Sequence, residues 1–235
     1  MTRPVLILRP QPGASQTGAK ARRLGLEPVL APIFKVDSVA WDAPDAAGFE
    51  ATMFTSANAA RLGGPALSAF LHMPCYVVGE STAAAAEWAG FRDIRAGPSD
   101  GTALLQMMIE DRISAAFHPH GREHLALRHP QLGIVSRTVY SSDAVETLPP
   151  PAIRALKRDA LALLHSPRAA ALFDRLFPTQ RMAKGDVDLA LISEAAAMEA
   201  GAGWKSVSVA ALPRDHALLE LAAKLCKTDG TTHGM

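Results

Sequence analysis

Two stretches about a hundred residues apart have almost the same character. MFTSANAARL runs from 53 to 62, and LLHSPRAAALF from 163 to 173. Each is an apolar run, then Ser, then a short pair, then Ala-Ala and a helix-forming tail. The echo is not confined to them. AGFRDIRAGPSDGTALL (89–105) matches AGWKSVSVAALPRDHALL (202–219) with one gap, VVGESTA (77–83) matches LISEAAA (191–197), and LGLEPVLAPIF (24–34) resembles LGIVSRTVYSS (132–142). A repeated pattern of this length implies a repeated structural unit. The pairing does not set the first half against the second. One unit runs without a break over 38–145, and the other is assembled from 1–37 and 146–235. The reading is two similar α/β lobes, one inserted into the other. VDSVAWDAPDAAG (36–48) and SSDAVETLPPP (141–151) are the crossings, rich in Pro and acidic residues as linkers are, and expected to pair as two short strands. The alternative is one doubly wound sheet of ten strands with chance echoes in an Ala-rich chain.

Strand-length apolar runs alternate with helical stretches throughout. VLIL (5–8), PVLAPIFKV (28–36), ATMFT (51–55), PCYVVG (74–79), FRDIRAG (91–97), ISAAFHPHG (113–121), IVSRTVYSS (134–142), DALALLH (159–165), DVDLALIS (186–193) and KSVSVAAL (205–212) read as strands. Helices are expected over 15–25, closed by Gly25, from Ser56, over 81–89, 101–111, a short one between Arg122 and Gly133, from Ser166, over 194–200 and over 215–227. That alternation predicts parallel βαβ units of flavodoxin type, with both sheet faces covered.

Charge narrows the partners. The 235 residues carry 24 Lys plus Arg against 23 Asp plus Glu. This balance argues against nucleic acid or an anionic membrane, both of which attract clustered basic charge. No apolar run reaches the roughly 18 residues of a membrane span. The N-terminal PVLIL is read as a first strand with no cleavage site after it. Cys75 and Cys226 lie too far apart in sequence for a metal box or a disulfide framework, which fits a reducing cytoplasm. The tail 227–235 is expected to lack fixed structure.

In open parallel sheets, ligands meet the carboxyl ends of strands and the helix N-termini beyond them. The turns there are Arg9-Pro10-Gln11, Thr55-Ser56-Ala57-Asn58, Gly79-Glu80-Ser81-Thr82, His120-Gly121-Arg122, Ser166-Pro167-Arg168 and Ser193-Glu194. Free N–H groups and hydroxyls at helix starts can bind carboxylate or phosphate, although the same Ser and Thr residues also serve as plain N-caps. No G-x-G-x-x-G follows a strand and no P-loop lysine is present, so a nucleotide cofactor is not expected. HPHGREH offers His118, His120 and His124. His118 and His120 are expected to point apart on a strand, and no carboxylate partner is evident, so a metal is not expected. Trp88, Phe91 and Trp204 read as packing at helix ends. Tyr140 follows a strand where the chain leaves one lobe, and reads either as a ligand contact or as a half-buried strand tyrosine.

VLILRP, FTSANA, VVGESTAAAAEWAGF, Tyr140, HSPRAAALF and the final AGW…LPRDHALLELA, in this order over 4–222, resemble the uroporphyrinogen-III synthase family. The resemblance implies two α/β lobes joined by a two-stranded ladder. It implies a cofactor-free, metal-free, monomeric lyase whose small-molecule substrate is the linear tetrapyrrole hydroxymethylbilane, closed to uroporphyrinogen III with ring D inverted. By position, Tyr140 matches a functionally important tyrosine, with a role in departure of the substrate hydroxyl. Thr82, Ser56, Asn58 and Ser166 match turns of the ligand cleft. Gly121 and Ser193 lie in the same kind of turn, and Arg9, Arg122 and Arg168 become candidate partners for the substrate carboxylates. One turn departs from the family pattern. Where relatives read Gly-Pro-Thr-Thr-Ala, this chain reads Ser193-Glu194-Ala195-Ala196-Ala197, so two hydroxyls are missing and a carboxylate opens the helix. The alternative function is a two-lobed module that binds a small polyanion without turning it over.

Overall fold

Short apolar runs pair in parallel in two separate sheets of a computed structural model that describes residues 3–97, 100–180 and 182–228. Contacts divide the chain into two compact units, 1–35 with 143–235, and 36–142. The crossings fall at 35/36 and 142/143, against 37/38 and 145/146 in the sequence-based division.

In the first unit the strands are β1 (Pro4–Ile7), β2 (Glu27–Leu30), β9 (Leu161–Leu164), β10 (Asp188–Leu191) and β11 (Ser206–Val209), in the order β11-β10-β9-β1-β2. The pairs β1–β2, β1–β9, β9–β10 and β10–β11 are all parallel. Alternate side chains point to opposite faces, so each central strand feeds two cores. Leu6, Leu8, Leu164 and Leu191 join α5 (Pro150–Leu156), α6 (Pro167–Leu176) and α7 (Glu194–Glu199). Val5, Ile7, Leu161 and Leu163 join α1 (Gly13–Arg23) and α8 (Asp215–Thr228). Each strand leucine taken fully out of water contributes about 2 kcal/mol, which is why these four-residue strands hold.

The second unit holds β4 (Ala51–Phe54), β5 (Cys75–Val78), β6 (Ile94–Gly97), β7 (Ala115–Gly121) and β8 (Gly133–Ala144) in the order β8-β7-β4-β5-β6. One face carries Phe54, Val77, Phe117 and Val139 against α2 (Ala57–Leu62) and α3 (Glu80–Trp88). The other carries Ala51, Met53, Tyr76 and Ala116 against α4 (Gly101–Glu110). β3 (Phe34–Ser38) pairs with β8. The bonds Val145 N–H to Ile33 O and Val39 N–H to Val139 O make that pair antiparallel. The structure is therefore α/β with two parallel-sheet lobes, not one ten-stranded sheet.

Four local expectations are corrected. The run 28–36 is two strands, because Pro32 between them has no N–H for a ladder. Helix α5 was not expected; its Pro150 stands at the first helical position, where a missing N–H is harmless. No helix follows Arg122. Residues 122–132 form a loop, because Pro130 bars helix from the residue before it and leaves too short a run to nucleate. Trp88 is 81% exposed rather than packed, whereas Phe91 is buried and Trp204 stacks on Phe173 with ring centroids 5.4 Å apart. Gly25 ends the first helix region with φ 76, the left-handed geometry expected of it. Most of the tail singled out in the sequence lies outside the described residues.

Candidate functional site

In each sheet the chain leaves two adjacent strands in opposite directions, and the crevice beyond their carboxyl ends is the natural ligand position. In the second unit those strands are β4 and β7. Ser56 follows β4 and caps α2, its Oγ accepting from Asn58 N–H at 3.3 Å. The same oxygen accepts a 3.0 Å hydrogen bond from Tyr140 Oη. Asn58 Oδ1 lies 3.5 Å from Arg61 Nη1. Two hydroxyls, one phenolic and one aliphatic, thus meet at one strand end.

An irregularity aims the phenol there. β7 and β8 pair evenly up to His120 with Thr138, then skip to Gly121 with Tyr140. Val139 is the extra residue of a β-bulge, a device that re-aims the side chain next to it. Val139 and Tyr140 both pack against the Phe54–Phe117 core. Gly121 makes the fit possible: a Cβ there would lie 2.5 Å from the Tyr140 ring. The Arg122 N–H donates to the Tyr140 carbonyl at 2.9 Å, and its side chain is exposed. Thr82 lies in the first turn of α3, 3% exposed, after Gly79 with φ 76. Its backbone N–H donates to the Gly79 carbonyl at 3.1 Å.

The histidines of HPHGREH converge, contrary to expectation. Residues two apart on a strand share a face, because the side-chain period is two. The His118 and His120 rings lie 5.4 Å apart, and His124 stacks on His120 at 3.5 Å. Thr55 Oγ1 and His118 Nε2 share a 3.2 Å hydrogen bond. His120 Nδ1 donates to the Gly121 carbonyl at 2.6 Å. Burial pushes the His118 pKa down to about 3, and its two histidine neighbours add to the shift, so the ring is neutral near pH 7. Burial also lowers His120. Among the described residues, no group of three His, Cys, Asp or Glu is arranged to hold a metal ion.

The corresponding crevice of the first unit lies between β1 and β9 and is filled by its own side chains. Arg9 Nη1 reaches Thr17 Oγ1 at 3.2 Å and Asp215 Oδ1 at 3.5 Å. Thr17 donates to Asp215 at 2.7 Å, Lys20 at 2.8 Å, and His165 Nε2 lies 3.2 Å away. Burial alone would raise the Asp215 pKa, but the hydrogen bonds from His165, Lys20 and Thr17 hold it far below the usual carboxylate range. Burial lowers His165. Ser166 caps α6 by accepting from Ala169 N–H at 3.1 Å, and Ser193 caps α7 by accepting from Ala196 N–H at 3.3 Å. The Arg168 guanidinium lies over the Phe34 ring at 4.4 Å. Glu194 occupies the first turn of α7.

Sequence reasoning therefore brought Ser56, Asn58, Gly121, Arg122 and Tyr140 to one place. It missed Thr55 with His118, and the Asp215 network. No signal for the latter lay in the sequence: the echo sets Asp215 of LPRDHALL opposite Gly101 of GPSDGTALL.

One solved structure shares this architecture. The structure of uroporphyrinogen-III synthetase from Helicobacter pylori is similar at 17% identity, covering 95% of this chain and 99% of that one, with a TM-score of 0.62. A mutant uroporphyrinogen III synthase from Thermus thermophilus matches at 14% identity over 96% of this chain and 99% of its own, with a TM-score of 0.48. No curated protein sequence matches. No helix among the described residues is long and apolar enough to cross a membrane. A family profile described as uroporphyrinogen-III synthase HemD matches residues 15–220. Matched over most of its length by that profile and folded as two parallel-sheet lobes, this chain belongs to the uroporphyrinogen-III synthase HemD family.

Proposed function

We propose that the chain closes hydroxymethylbilane to uroporphyrinogen III, with inversion of ring D and without a cofactor. The observation that carries this reading is the hydrogen bond from Tyr140 to Ser56 at the β4/β7 crevice, in a member of this family. Tyr140 Oη gives its proton to the hydroxymethyl oxygen, which departs as water. Ser56 Oγ, already in hydrogen-bond contact, supports the phenolate. The azafulvene cation left behind is attacked through the substituted carbon of ring D, and the spiro intermediate fragments and recloses. The proton lost as the final ring regains aromaticity restores the phenol. Closure at the unsubstituted carbon competes, so the chain has to orient its substrate more than supply strong acid or base. Each tenfold preference needs only about 1.4 kcal/mol of differential stabilisation.

The test is incubation with hydroxymethylbilane, oxidation of the product and chromatographic separation of isomers I and III. Isomer III is expected, and a Tyr140→Phe variant should form it about a hundredfold more slowly. Isomer I alone from the unmodified protein would overturn the reading. A second reading is binding of a polyanion without turnover: Ser166, Ser193 and Arg9 have internal partners and Glu194 opens α7, so the first unit offers little to orient a substrate for closure. It predicts a raised melting temperature with uroporphyrinogen III but no isomer III.

A further inference from the structure

In the first unit, α1 follows β1 and covers the sheet. In the second unit the segment after β7 is the loop 122–132, and a cavity of about 520 Å³ lies beneath it. That volume is within the usual range for small-molecule sites, roughly 300–1,000 Å³. The floor is the β8 face bearing Ile134 and Ser136, and the walls are loop residues including His124, Leu127, Arg128 and His129.

The loop is seated rather than loose. Leu127 packs against the start of α4, where a Cβ on Gly101 would meet it at 2.8 Å. His129 forms an antiparallel bridge with Leu132. Gln131 N–H donates to His129 Nδ1 at 3.2 Å, so that nitrogen is an acceptor and Nε2 carries the proton. His124 is held by its stack on His120. Among the described residues, Arg128 makes no hydrogen bond or ion pair and no acidic side chain lines the cavity. An arginine, an imidazole N–H and a serine line one cavity whose described lining holds no carboxylate.

We propose that the cavity under the β7–β8 loop is a binding site for a small oxyanion, held by Arg128, His129 Nε2 and Ser136 Oγ. Carboxylate and phosphate groups share the acceptor geometry that an arginine fork reads. The site lies in the second unit alone and does not depend on the catalytic reading above.

The experiment titrates the full chain separately with citrate and with inorganic phosphate at constant ionic strength, following melting temperature and the imidazole ring signals by NMR. A saturable shift confined to His124 and His129, with a raised melting temperature, is expected for at least one anion. Saturation by citrate alone identifies carboxylate as the ligand chemistry, and by phosphate alone phosphate. Arg128→Gln should weaken binding about tenfold, since a hydrogen bond to a charged partner is lost. His129→Gln should weaken it too, whereas Arg92→Gln, which removes the same charge elsewhere on this unit, should not. Circular dichroism matching the parent protein establishes that each variant is folded. No saturable, localised shift with either anion, or equal weakening in Arg92→Gln, overturns the proposal. Isomer III formation is measured in parallel on Arg128→Gln and is expected to be unchanged, so failure of this site and failure of the catalytic reading are told apart.

Discussion

The chain leaves β1 through an eleven-residue helix, and leaves the matching strand β7 through a loop. Around the first exit, α1 brings Thr17 and Lys20 onto Asp215, and Arg9 and His165 complete the cluster. Around the second, no helix supplies such partners, and the strand ends present Tyr140 on Ser56, His118 on Thr55, and stacked histidines. Two units with the same strand order have thus diverged. One ties Arg9, Thr17, Lys20 and His165 to the Asp215 carboxylate; the other presents hydroxyls and imidazoles at its crevice.

Removing the network in the first unit should cost the most stability. Asp215→Asn deprives the surrounding donors of their charged acceptor and should destabilise by about 2 kcal/mol, measured by urea unfolding. The same carboxyl gives a pH signature. Its folded pKa is depressed, so its contribution is complete above the ordinary value of 3.8 and declines as pH falls below it. The parent should lose stability through that range, and Asp215→Asn should lose less.

Gly121→Ala probes the second unit. The added methyl would stand 2.5 Å from the Tyr140 ring and must push the phenol off Ser56. Formation of isomer III should fall about tenfold, or about 1.4 kcal/mol in the barrier, with Tyr140 still present. Full activity would mean that the Tyr140–Ser56 contact is dispensable. The smallest effect compares two left-handed residues. Arg112 has φ 62 in the second unit and Asp159 has φ 57 in the first. Arg112→Gly should stabilise by about 0.5–1 kcal/mol by removing the Cβ penalty. Asp159→Gly should be near neutral, because it also loses the exposed ion pair with Arg3 at 3.3 Å.

The lobes were legible because buried parallel strands must be continuously apolar, as in LALL and ATMF, and because the echo fixed their order. The helix starts were legible through Ser56, Ser166 and Ser193, whose side chains have a local job. What stayed hidden is non-local. Asp215 meets Thr17 across nearly the whole chain, and no spacing rule reports that. The loop after Arg122 was hidden because EHLALR reads as helix until Pro130 is weighed against it. Trp88 misled because a large apolar side chain is normally assumed to be covered, and here it stands in solvent.

Val139, the extra residue of β8 against β7, makes strand register itself a control on reactivity. Had the ladder run on evenly from His120 with Thr138, Val139 would stand opposite Gly121 and Tyr140 would turn its phenol to the other side of the sheet, among the imidazoles of His118 and His120. A change that evens out the ladder without removing a residue is therefore expected to abolish turnover while leaving the fold intact.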